Sequence, residues 1–316
     1  MMKNAKTLLV TGATGVLGST LVEHLLREGH SVIAIGRKKY GLLSDSVVND
    51  NNLVFVQNDL IDFDINVLMD YQIDGILHLA NRGFVDGQGN NNKGIGHDEI
   101  FNVNVRSTRK LIELAELQEI KFLIFASSIS VFGKQPADSV ISELTCPTPS
   151  DYYGLTKYYS ERLIEIELAE TDTKGIVLRF PLIFSKEHLG GLVYTFYKLA
   201  ANNEPIVIFG KGNAYRCPIY INDAISIILK NIEHVSDLNS YEIFACGSSD
   251  SMKILDIAKE IICLTNSKSE IKFVDKPFSL DWDMKINVSK IYKKLKFDPM
   301  SINEGLKLYI NNDLNN

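Results

Sequence analysis

Short apolar runs alternate with longer amphipathic stretches through the first 180 residues of the chain. The longer stretches repeat apolar residues at helical spacing, as Leu17, Leu21 and Leu25 do, and they predict helices. The predicted strands cover residues 6–11, 31–35, 53–57, 75–79, 121–126 and 175–180, and the predicted helices cover residues 15–28, 100–119 and 153–169. Alternation of strand and helix is typical of an α/β fold, so we predict a doubly wound parallel sheet with helices on both faces.

The pattern becomes less regular after residue 180. We expect a smaller α/β part that binds substrate over residues 181–316, next to a first domain over residues 1–180. An apolar run at residues 241–247 could return a strand to the main sheet. Residues 82–96 are rich in Gly and Asn, and the sequence leaves open whether they form a surface insertion or a loop at the edge of a site.

The composition is that of an ordinary globular protein, with 45% hydrophobic and 23% charged residues among 316. A net charge of −6 argues against a nucleic-acid partner. No apolar run approaches the length of about 20 residues that a membrane helix needs, and the first residues lead directly into a predicted strand without a signal-peptide pattern. Four cysteines, Cys146, Cys217, Cys246 and Cys263, form no CxxC pair. We therefore expect a cytoplasmic protein with reduced thiols, no metal site and no membrane contact.

A glycine-rich turn, TGATGVLG, connects the first predicted strand to the first predicted helix. Gly12 permits a tight turn, Gly15 lets a pyrophosphate approach the backbone, and Gly18 allows close packing of the helix. The helix N-terminus offers free N–H groups and the positive end of its dipole to phosphates. Because the turn stands between a strand and a helix, it predicts a dinucleotide-binding Rossmann domain over residues 1–180. The predicted contacts in the turn are Gly12, Thr14, Gly15, Val16, Leu17 and Gly18.

The second predicted strand is followed by basic residues, where NAD enzymes usually have a carboxylate for the ribose 2′-hydroxyl. Arg37 stands there, followed by Lys38 and Lys39. An arginine can bind a 2′-phosphate in a bidentate manner, so NADP is favoured over NAD. The alternative is that these cations form a solvated loop. Asp59, with Leu60 beside it, either accepts a hydrogen bond from the adenine amino group or caps a helix.

Candidate catalytic residues follow the fifth predicted strand. Tyr153 and Lys157 are four residues apart and would share one face of a helix. A free tyrosine has a pKa of about 10, and a neighbouring ammonium would lower it enough for acid–base chemistry. Tyr152 competes by position but lacks this spacing. Ser127 and Ser128 stand at the carboxyl edge of the strand, where a hydroxyl could bind a substrate oxygen or cap the strand end.

Together these motifs resemble the extended short-chain dehydrogenase/reductases, also called the NAD-dependent epimerase/dehydratase family. TGATGVLG is similar to the family's TGxxGxxG turn, HLA at residues 78–80 to its fourth-strand motif, and NVRST from Asn104 to its NVxGT motif, with Ser107 at the usual glycine. SSISVFG resembles SSxxVYG, YGLTK resembles YxxxK, and GKGNAYRCPIYINDA resembles the GxGxxxRDxxYVxD segment of nucleotide-sugar enzymes. The resemblance spans nearly the whole chain.

The resemblance implies roles for individual residues. Tyr153 would be the acid/base and Lys157 its partner, which also holds the nicotinamide ribose, so both would contact the cofactor. Ser128 would be the hydroxyl that binds the reacting oxygen, and Asn104 a support within the site. Arg216 would grip the diphosphate of a nucleotide sugar, or else form a surface ion pair. Further cofactor contacts are implied at Leu79, Ala80, Asn81, Phe180 and Pro181. The family also implies a homodimer that packs the helices predicted at residues 100–119 and 153–169 into a four-helix bundle.

The chain departs from the family pattern at several positions. Family dehydratases have an Asp-Glu pair after the catalytic Ser or Thr, whereas Ile129 and Ser130 stand here, so we do not expect dehydration. Leu182 replaces an asparagine that touches the sugar nucleotide, Cys217 replaces an aspartate, and Lys276 stands near the position of a missing second arginine. These changes affect substrate contacts more than the chemistry.

The expected reaction is hydride transfer at a sugar carbon, C4 by the resemblance, of a nucleotide sugar. Arg37 favours a 4-keto-sugar reductase that uses NADPH, whereas family abundance favours a 4-epimerase, and we lean slightly towards the reductase. A non-catalytic NADP-sensing protein is a third alternative, which the presence of Ser128, Tyr153 and Lys157 argues against.

Overall fold

The computed structural model describes residues 5–83, 96–136, 138–275 and 282–314. Its strands are β1 (Thr7–Thr11), β2 (Ser31–Gly36), β3 (Leu53–Gln57), β4 (Gly75–His78), β5 (Phe122–Ser128), β6 (Val140–Ile141), β7 (Lys174–Phe180), β8 (Ile183–Phe184), β9 (Ile206–Phe209), β10 (Tyr215–Arg216), β11 (Ile219–Tyr220), β12 (Tyr241–Ala245), β13 (Met252–Lys253), β14 (Ile271–Val274) and β15 (Lys285–Ile286). Its α-helices are α1 (Val16–Arg27), α2 (Asp45–Val48), α3 (His97–Phe101), α4 (Ser107–Leu117), α5 (Tyr152–Glu167), α6 (Gly191–Ala201), α7 (Ile221–Glu233), α8 (Ile254–Leu264), α9 (Ser289–Leu295) and α10 (Ile302–Leu314). Short 3₁₀ turns occupy Ile65–Leu68, Ile129–Phe132 and Val235–Asp237, and a π-helical turn occupies Asn102–Arg106.

Within the described residues, seven parallel strands form the central sheet in the order β12-β7-β5-β4-β1-β2-β3. The order reverses direction between β1 and β4, which is the switch point where doubly wound folds bind ligands. The predicted α/β class and doubly wound sheet are confirmed. Strand β5 runs two residues further than predicted, so Ser127 and Ser128 belong to the strand itself.

Side chains on alternate positions of the strands enter different core layers. Leu8 and Val10 of β1 pack in one cluster with Leu21 of α1, whereas Leu9 packs in another with Leu111 of α4. Burial of each such leucine contributes about 1.5–3 kcal/mol. Both faces of the sheet are therefore covered, and its carboxyl edge is left to present polar groups.

The C-terminal part is joined to the first part through this sheet. Strand β12 pairs in parallel with β7, with Tyr241 opposite Gly175, so the apolar run at residues 241–247 does return to the main sheet. The first core cluster also includes Ile227 of α7 and Ile257 of α8. The division of the chain at residue 180 stays a prediction. In the described part of the chain, no helix combines the length and apolar character required to cross a bilayer.

The prediction of one continuous helix over residues 100–119 is wrong. A π-helical turn lies between α3 and α4, and the N–H of Ser107 reaches back to the carbonyl of Asn102. The hydroxyls of Thr108 and Ser160 both donate to the carbonyl of Asn104, at 2.7 and 2.8 Å. These side-chain donors occupy a helix carbonyl in the turn, and such bulges are frequent at functional sites.

Candidate active site

The glycine-rich turn has the close contacts that its sequence predicts. Gly12 has a φ of +68°, and a Cβ there would lie 2.8 Å from the backbone N of Ala80. A Cβ on Gly18 would lie 2.1 Å from the carbonyl oxygen of Gly12. A larger residue at Gly12 would push the turn away from the segment after β4, and one at Gly18 would separate α1 from the turn. The close approach at Gly18 is therefore to the turn itself.

The start of α1 fits the pyrophosphate of a dinucleotide. Helix α1 begins at Val16 with Gly15 as its N-cap, and it has no side-chain cap and no acidic residue in its first turn among the described residues. A Cβ on Gly15 would meet only the carbonyl oxygen of Gly12, at 3.4 Å. Backbone N–H groups and the positive dipole end are therefore available to an anion.

The loop after β2 wraps around Thr14. A Cβ on Gly36 or Gly41 would lie 2.4 or 2.5 Å from the Thr14 side chain, and the N–H of Leu42 donates to the Thr14 carbonyl at 3.3 Å. Arg37 lies in this loop with an exposed side chain, as do Lys38 and Lys39. The loop thus places these cations next to the glycine-rich turn.

Asp59 stands after β3, as predicted, but the helix-cap alternative needs correction. Its Oδ1 accepts a hydrogen bond from the N–H of Ile61 at 3.2 Å, which stabilises a turn, and the next helical segment begins only at Ile65. Leu60 is buried in the core layer of β1 and β2 residues. The adenine contact stays a prediction.

His78, at the end of β4, lies between two threonines. Its Nδ1 is 2.7 Å from Thr11 Oγ1 and its Nε2 is 3.0 Å from Thr108 Oγ1. Burial lowers the pKa of His78 to about 3, with a smaller contribution from the charge of Lys157. The neutral imidazole therefore ties β1 to α4 and fixes the strand end that leads into residues 79–81. Leu79 is buried there, and Asn81 is exposed.

Asn104 is buried in the π-helical turn and connects three segments. Its Nδ2 donates to the carbonyl of Arg82 at 2.9 Å and to Thr156 Oγ1 at 3.0 Å, and its Oδ1 accepts from the N–H of Arg82 at 2.7 Å. The Arg82 guanidinium pairs with Glu99 at 2.6 Å. The loop predicted over residues 82–96 falls mostly in residues 84–95, outside the described residues.

Ser128 and Tyr153 meet at the carboxyl edge of the sheet. A hydrogen bond from the Ser128 hydroxyl acts to lower the pKa of Tyr153, and Ser128 Oγ lies 3.1 Å from Ser130 Oγ. A Cβ on Gly154 would lie 2.5 Å from the Ser130 carbonyl oxygen, so α5 packs directly on this turn. Asp151 caps α5 by accepting the N–H of Gly154 at 2.7 Å. The cap and the glycine together hold Tyr153 against Ser128.

Lys157 follows Tyr153 by one helical turn but is directed at a different group. Its Nζ donates to the carbonyl of Ala126 at 2.7 Å and lies 4.5 Å from the centre of the Phe125 ring and 5.9 Å from that of Tyr153. Burial lowers the pKa of Lys157 to about 7, against the opposing effect of the Glu161 carboxylate.

The expectation of a lowered pKa at Tyr153 is wrong for this structure. Burial raises the pKa of Tyr153 above its usual value, and its hydrogen bond with Ser128 offsets only part of that effect. The sequence could not reveal that both side chains are almost fully buried.

A buried ion pair behind this site was not predicted. Arg179 of β7 binds Glu161 of α5 through Nε at 3.0 Å and Nη2 at 2.7 Å. The side chains are 3% and 1% exposed. Ser127 Oγ donates to the same carboxylate at 2.5 Å. The only sequence signal was the four-residue spacing between Lys157 and Glu161.

Arg216 lies outside the central sheet, on the short strand β10. Its Nη1 donates to the carbonyls of Tyr215 and Trp282, at 2.7 and 2.8 Å, and its guanidinium lies 5.8 Å from the centre of the Trp282 ring. It is nearly buried rather than part of an exposed surface. Cys217 beside it is buried, and its thiol donates to the carbonyl of Asp250 at 3.2 Å.

The remaining predicted residues lie at the end of β7. Phe180 is the last residue of that strand and is buried, as is Pro181 after it. Register pairs Phe180 with Ser128. Leu182, which stands at the family's asparagine position, packs against Gly191, where a Cβ would lie 2.9 Å from its Cδ1. Within the described residues, no three His, Cys, Asp or Glu side chains come together as metal ligands.

Comparison with known proteins identifies the family to which a chain with this site belongs. A model of the NAD dependent epimerase/dehydratase family matches residues 8–247. The UDP-glucuronate 4-epimerase of Thermodesulfobacterium geofontis is 26% identical over 319 residues, which cover 96% of this chain and 94% of that protein.

Solved structures agree in fold. The UDP-glucose 4-epimerase of Thermotoga maritima superimposes with a TM-score of 0.85 at 22% identity, over 98% of this chain and 99% of that one. The UDP-glucuronic acid 4-epimerase of Bacillus cereus, in complex with UDP-glucuronic acid and NAD, gives a TM-score of 0.84 at 24% identity, over 96% and 98% of the two chains. At these identities the likeness concerns the fold.

Proposed function

Since the chain belongs to the NAD-dependent epimerase/dehydratase family of nucleotide-sugar enzymes, we propose that it interconverts the C4 epimers of a UDP-sugar. The observation that carries this proposal is the placement of Ser128 at the end of β5 and of Tyr153 and Lys157 one turn apart at the start of α5. The 4-epimerase names of a relative and of two fold neighbours support the epimerase over the reductase that the sequence slightly favoured.

The residues divide the chemistry between them. The nicotinamide, when bound, supplies the acceptor and donor of the C4 hydride. In the oxidising direction Tyr153, as phenolate, takes the proton of the C4 hydroxyl, and Ser128 donates a hydrogen bond to the oxygen as it becomes a carbonyl. In the reverse direction Tyr153 returns the proton to that oxygen. For epimerisation the site would have to present either face of C4 to the cofactor, with Tyr153 and Ser128 holding the C4 oxygen in both directions.

We assign the cofactor contacts to the carboxyl ends of β1, β2, β3, β4 and β7. The close contacts at Gly12 and Gly18, and the uncapped start of α1, support binding of a dinucleotide there. The residues of this proposed contact set are Gly12, Thr14, Gly15, Val16, Leu17, Gly18, Arg37, Asp59, Leu60, Leu79, Ala80, Asn81, Phe180 and Pro181, together with Tyr153 and Lys157 of α5. Arg216 is the proposed contact for the diphosphate of the sugar nucleotide.

A panel of UDP-, GDP-, CDP- and dTDP-sugars tests the reaction. We expect NMR to detect the C4 epimer of a UDP-sugar without net consumption of cofactor, and Tyr153→Phe to abolish its formation. Tyr152→Phe is the matched control, because it removes the neighbouring hydroxyl on the same helix. Stoichiometric NADPH oxidation on a 4-keto sugar would replace the epimerase by a reductase. Unchanged turnover in Tyr153→Phe would refute the assignment of the acid/base.

The 4-keto-sugar reductase remains the second candidate because of one observation. The exposed side chains of Arg37, Lys38 and Lys39 follow β2, where a carboxylate would repel a 2′-phosphate. We infer a preference for NADP over NAD from this loop. Arg37→Ala should weaken NADP binding about tenfold and leave NAD binding nearly unchanged, because only NADP carries the phosphate that the guanidinium binds. Arg27→Ala, an exposed arginine at the end of α1, is the control. Equal affinity of the parent protein for NAD and NADP would contradict the inferred preference and remove the support for a reductase.

A homodimer is supported by an exposed apolar stripe on α5. Leu155, Tyr159 and Ile166 are 48%, 49% and 61% exposed, and their spacing places them along one side of the helix. Leu117 on the neighbouring helix α4 is 59% exposed. Packing of these two helices against their symmetry copies would bury the stripe.

Sedimentation tests the dimer. We expect the mass of two chains for the parent protein and of one chain for Ile166→Glu. Leu144→Glu alters an even more exposed leucine outside these helices, 96% exposed, and should leave the mass unchanged. A parent protein that sediments as one chain at micromolar concentration would contradict the proposal.

We also retain the proposal of a cytoplasmic enzyme. All four cysteines lie in the described residues, none is disulfide-bonded, and Cys146 and Cys263 are exposed. Exposed free thiols are typical of a reducing compartment. Recovery of the protein in the membrane or the medium after cell fractionation would contradict this.

A further inference from the structure

Lys157 carries a charge in an unfavourable place. Its side chain is almost fully buried, and its ammonium donates to the carbonyl of Ala126 rather than to a carboxylate. Burial of an ammonium favours its neutral form. The titratable or charged groups around Lys157 and its surroundings are His78 from β4, Tyr153 and Glu161 from α5, Arg179 from β7 and Tyr241 from β12.

Of these groups, only Glu161 favours the charged form of Lys157. It follows Lys157 by one helical turn, so the two side chains lie on the same side of α5. Tyr153 has its pKa raised and is neutral at ordinary pH, and His78 is neutral as well. Among the groups named above, the Glu161 carboxylate is therefore the one that stabilises the ammonium form of Lys157.

Glu161 is itself fixed as a carboxylate. A guanidinium is always charged, and Arg179 binds both oxygens of Glu161. Ser127 Oγ adds a third donor at 2.5 Å. With its oxygens occupied, Glu161 does not draw the Lys157 ammonium into an ion pair of its own, and Nζ stays on the carbonyl of Ala126. Ser127 also precedes Ser128 on β5, so the same network anchors the strand end that carries the reactive hydroxyl.

We propose that Glu161, clamped by Arg179 and Ser127, is a positioning residue that favours the ammonium form of Lys157 without drawing it away from the carbonyl of Ala126. This inference rests on the proposed function for the role of Tyr153, but the charge state of Lys157 can be measured without any substrate or cofactor. The ammonium then supplies the positive charge that favours the phenolate when Tyr153 gives up its proton.

The direct test is an NMR titration of the lysine 13Cε signals in the full-length protein, with the Lys157 signal identified by its loss in Lys157→Met. Glu161→Gln should lower the titration midpoint of Lys157 by about one pH unit, because the carboxylate charge is removed. Glu161→Asp keeps a carboxylate on α5, so the Lys157 midpoint should stay close to that of the parent protein. Glu165→Gln, one turn further along α5 with its carboxylate paired to Arg162 at the surface, should leave the midpoint unchanged.

Loss of Glu161 leaves Arg179 buried without its partner, and the single variant could fail to fold. The double variant Glu161→Gln/Arg179→Met removes both charges. A downward shift is expected there too, smaller than in Glu161→Gln because the positive charge of Arg179 is removed as well. A midpoint unchanged in both variants would overturn the proposal.

Activity gives a second readout. If the ammonium form of Lys157 is required, kcat/KM of Glu161→Gln should begin to fall at a lower pH than that of the parent protein. The ratio of the two kcat/KM values should then approach one as the pH is lowered. A kcat/KM of Glu161→Gln that is reduced by the same factor at every pH would indicate a merely structural role and overturn the proposal. Absence of turnover in the parent would instead contradict the proposed function and leave the NMR result to decide this one.

Discussion

The side chain of Asn104 binds both backbone polar groups of Arg82. Its Oδ1 accepts the Arg82 N–H at 2.7 Å and its Nδ2 donates to the Arg82 carbonyl at 2.9 Å. One amide thus satisfies both backbone groups of Arg82, four residues beyond the end of β4. Because residues 79–81 lead from β4 to this clamp, Asn104 fixes the segment proposed to lie along the cofactor.

Asn104→Ala should destabilise the protein and weaken dinucleotide binding together. Two backbone groups of Arg82 and the hydroxyl of Thr156 lose a partner, and an unsatisfied buried group costs about 1–3 kcal/mol. Urea unfolding and a dinucleotide titration would measure the two effects. Asn49→Ala, an exposed asparagine that bonds the Asp45 carbonyl in its own helix, should change neither by a comparable amount. Unaltered dinucleotide affinity in Asn104→Ala would show that the clamp does not shape the cofactor site.

The sequence predicts the sheet well because its signal is local. The apolar runs of β1 and β5 need only their own residues to be recognised, and the turn at Gly12 is defined by its neighbours in the chain. The π-helical turn around Asn104 could not be predicted in this way. The hydroxyl of Ser160 that binds the Asn104 carbonyl comes from another helix, 56 residues along the chain.

The pKa values and the buried ion pair of the site could not be predicted from the sequence, for a related reason. The spacing of Tyr153 and Lys157 correctly places them on one helix, but spacing carries no information on burial, which decides their pKa values. Arg179 and Glu161 pair across two elements that are brought together only by the fold. The spacing of Glu161 from Lys157 marks one of them, but the sequence does not show that Arg179 is the partner of Glu161.

Gly18→Ala tests the steric basis of the glycine turn. The added Cβ would lie 2.1 Å from the Gly12 carbonyl oxygen, so α1 must move away from the turn. We expect a loss of about 1–3 kcal/mol in the free energy of unfolding, together with a loss of dinucleotide affinity. Gly96→Ala is the matched control, because a Cβ there has no atom within 4 Å. Normal dinucleotide binding by Gly18→Ala would contradict the proposed role of the turn.

His78 should make the protein sensitive to acid. Its pKa is lowered to about 3 in the folded protein, chiefly by burial, from an ordinary value of 6.5. The neutral form is thus favoured by folding, and its stabilising contribution is complete above pH 6.5 and declines as the pH falls towards 3. The slope attributable to one such group approaches about 1.4 kcal/mol per pH unit.

His78→Phe should remove this part of the pH dependence. Urea unfolding at several pH values between 7 and 4 would compare the slopes of the two proteins. The variant will be less stable at pH 7, because Thr11 and Thr108 each lose a hydrogen bond. Parallel pH profiles of the two proteins would mean that His78 titrates normally.

Asp223 should have the opposite pH dependence. It lies buried at the start of α7, and burial raises its pKa to about 6, with the carboxylates of Glu304 and Asp298 adding to the effect and a hydrogen bond from the Met300 N–H opposing it. Because the protonated form is favoured by folding, this contribution is complete below the ordinary value of 3.8 and is lost as the pH rises through about 6.

Asp223→Asn should therefore stabilise the protein at pH 7.5 and have little effect near pH 4. The neutral amide keeps an oxygen for the Met300 N–H and removes the buried charge, which is worth about 1–2 kcal/mol at the higher pH. Thermal unfolding at the two pH values gives the comparison. Asp237→Asn, with a side chain 72% exposed, should show no such gain at pH 7.5. If Asp223→Asn is less stable than the parent at pH 7.5, the carboxylate is ionised and favourably bound in the folded protein.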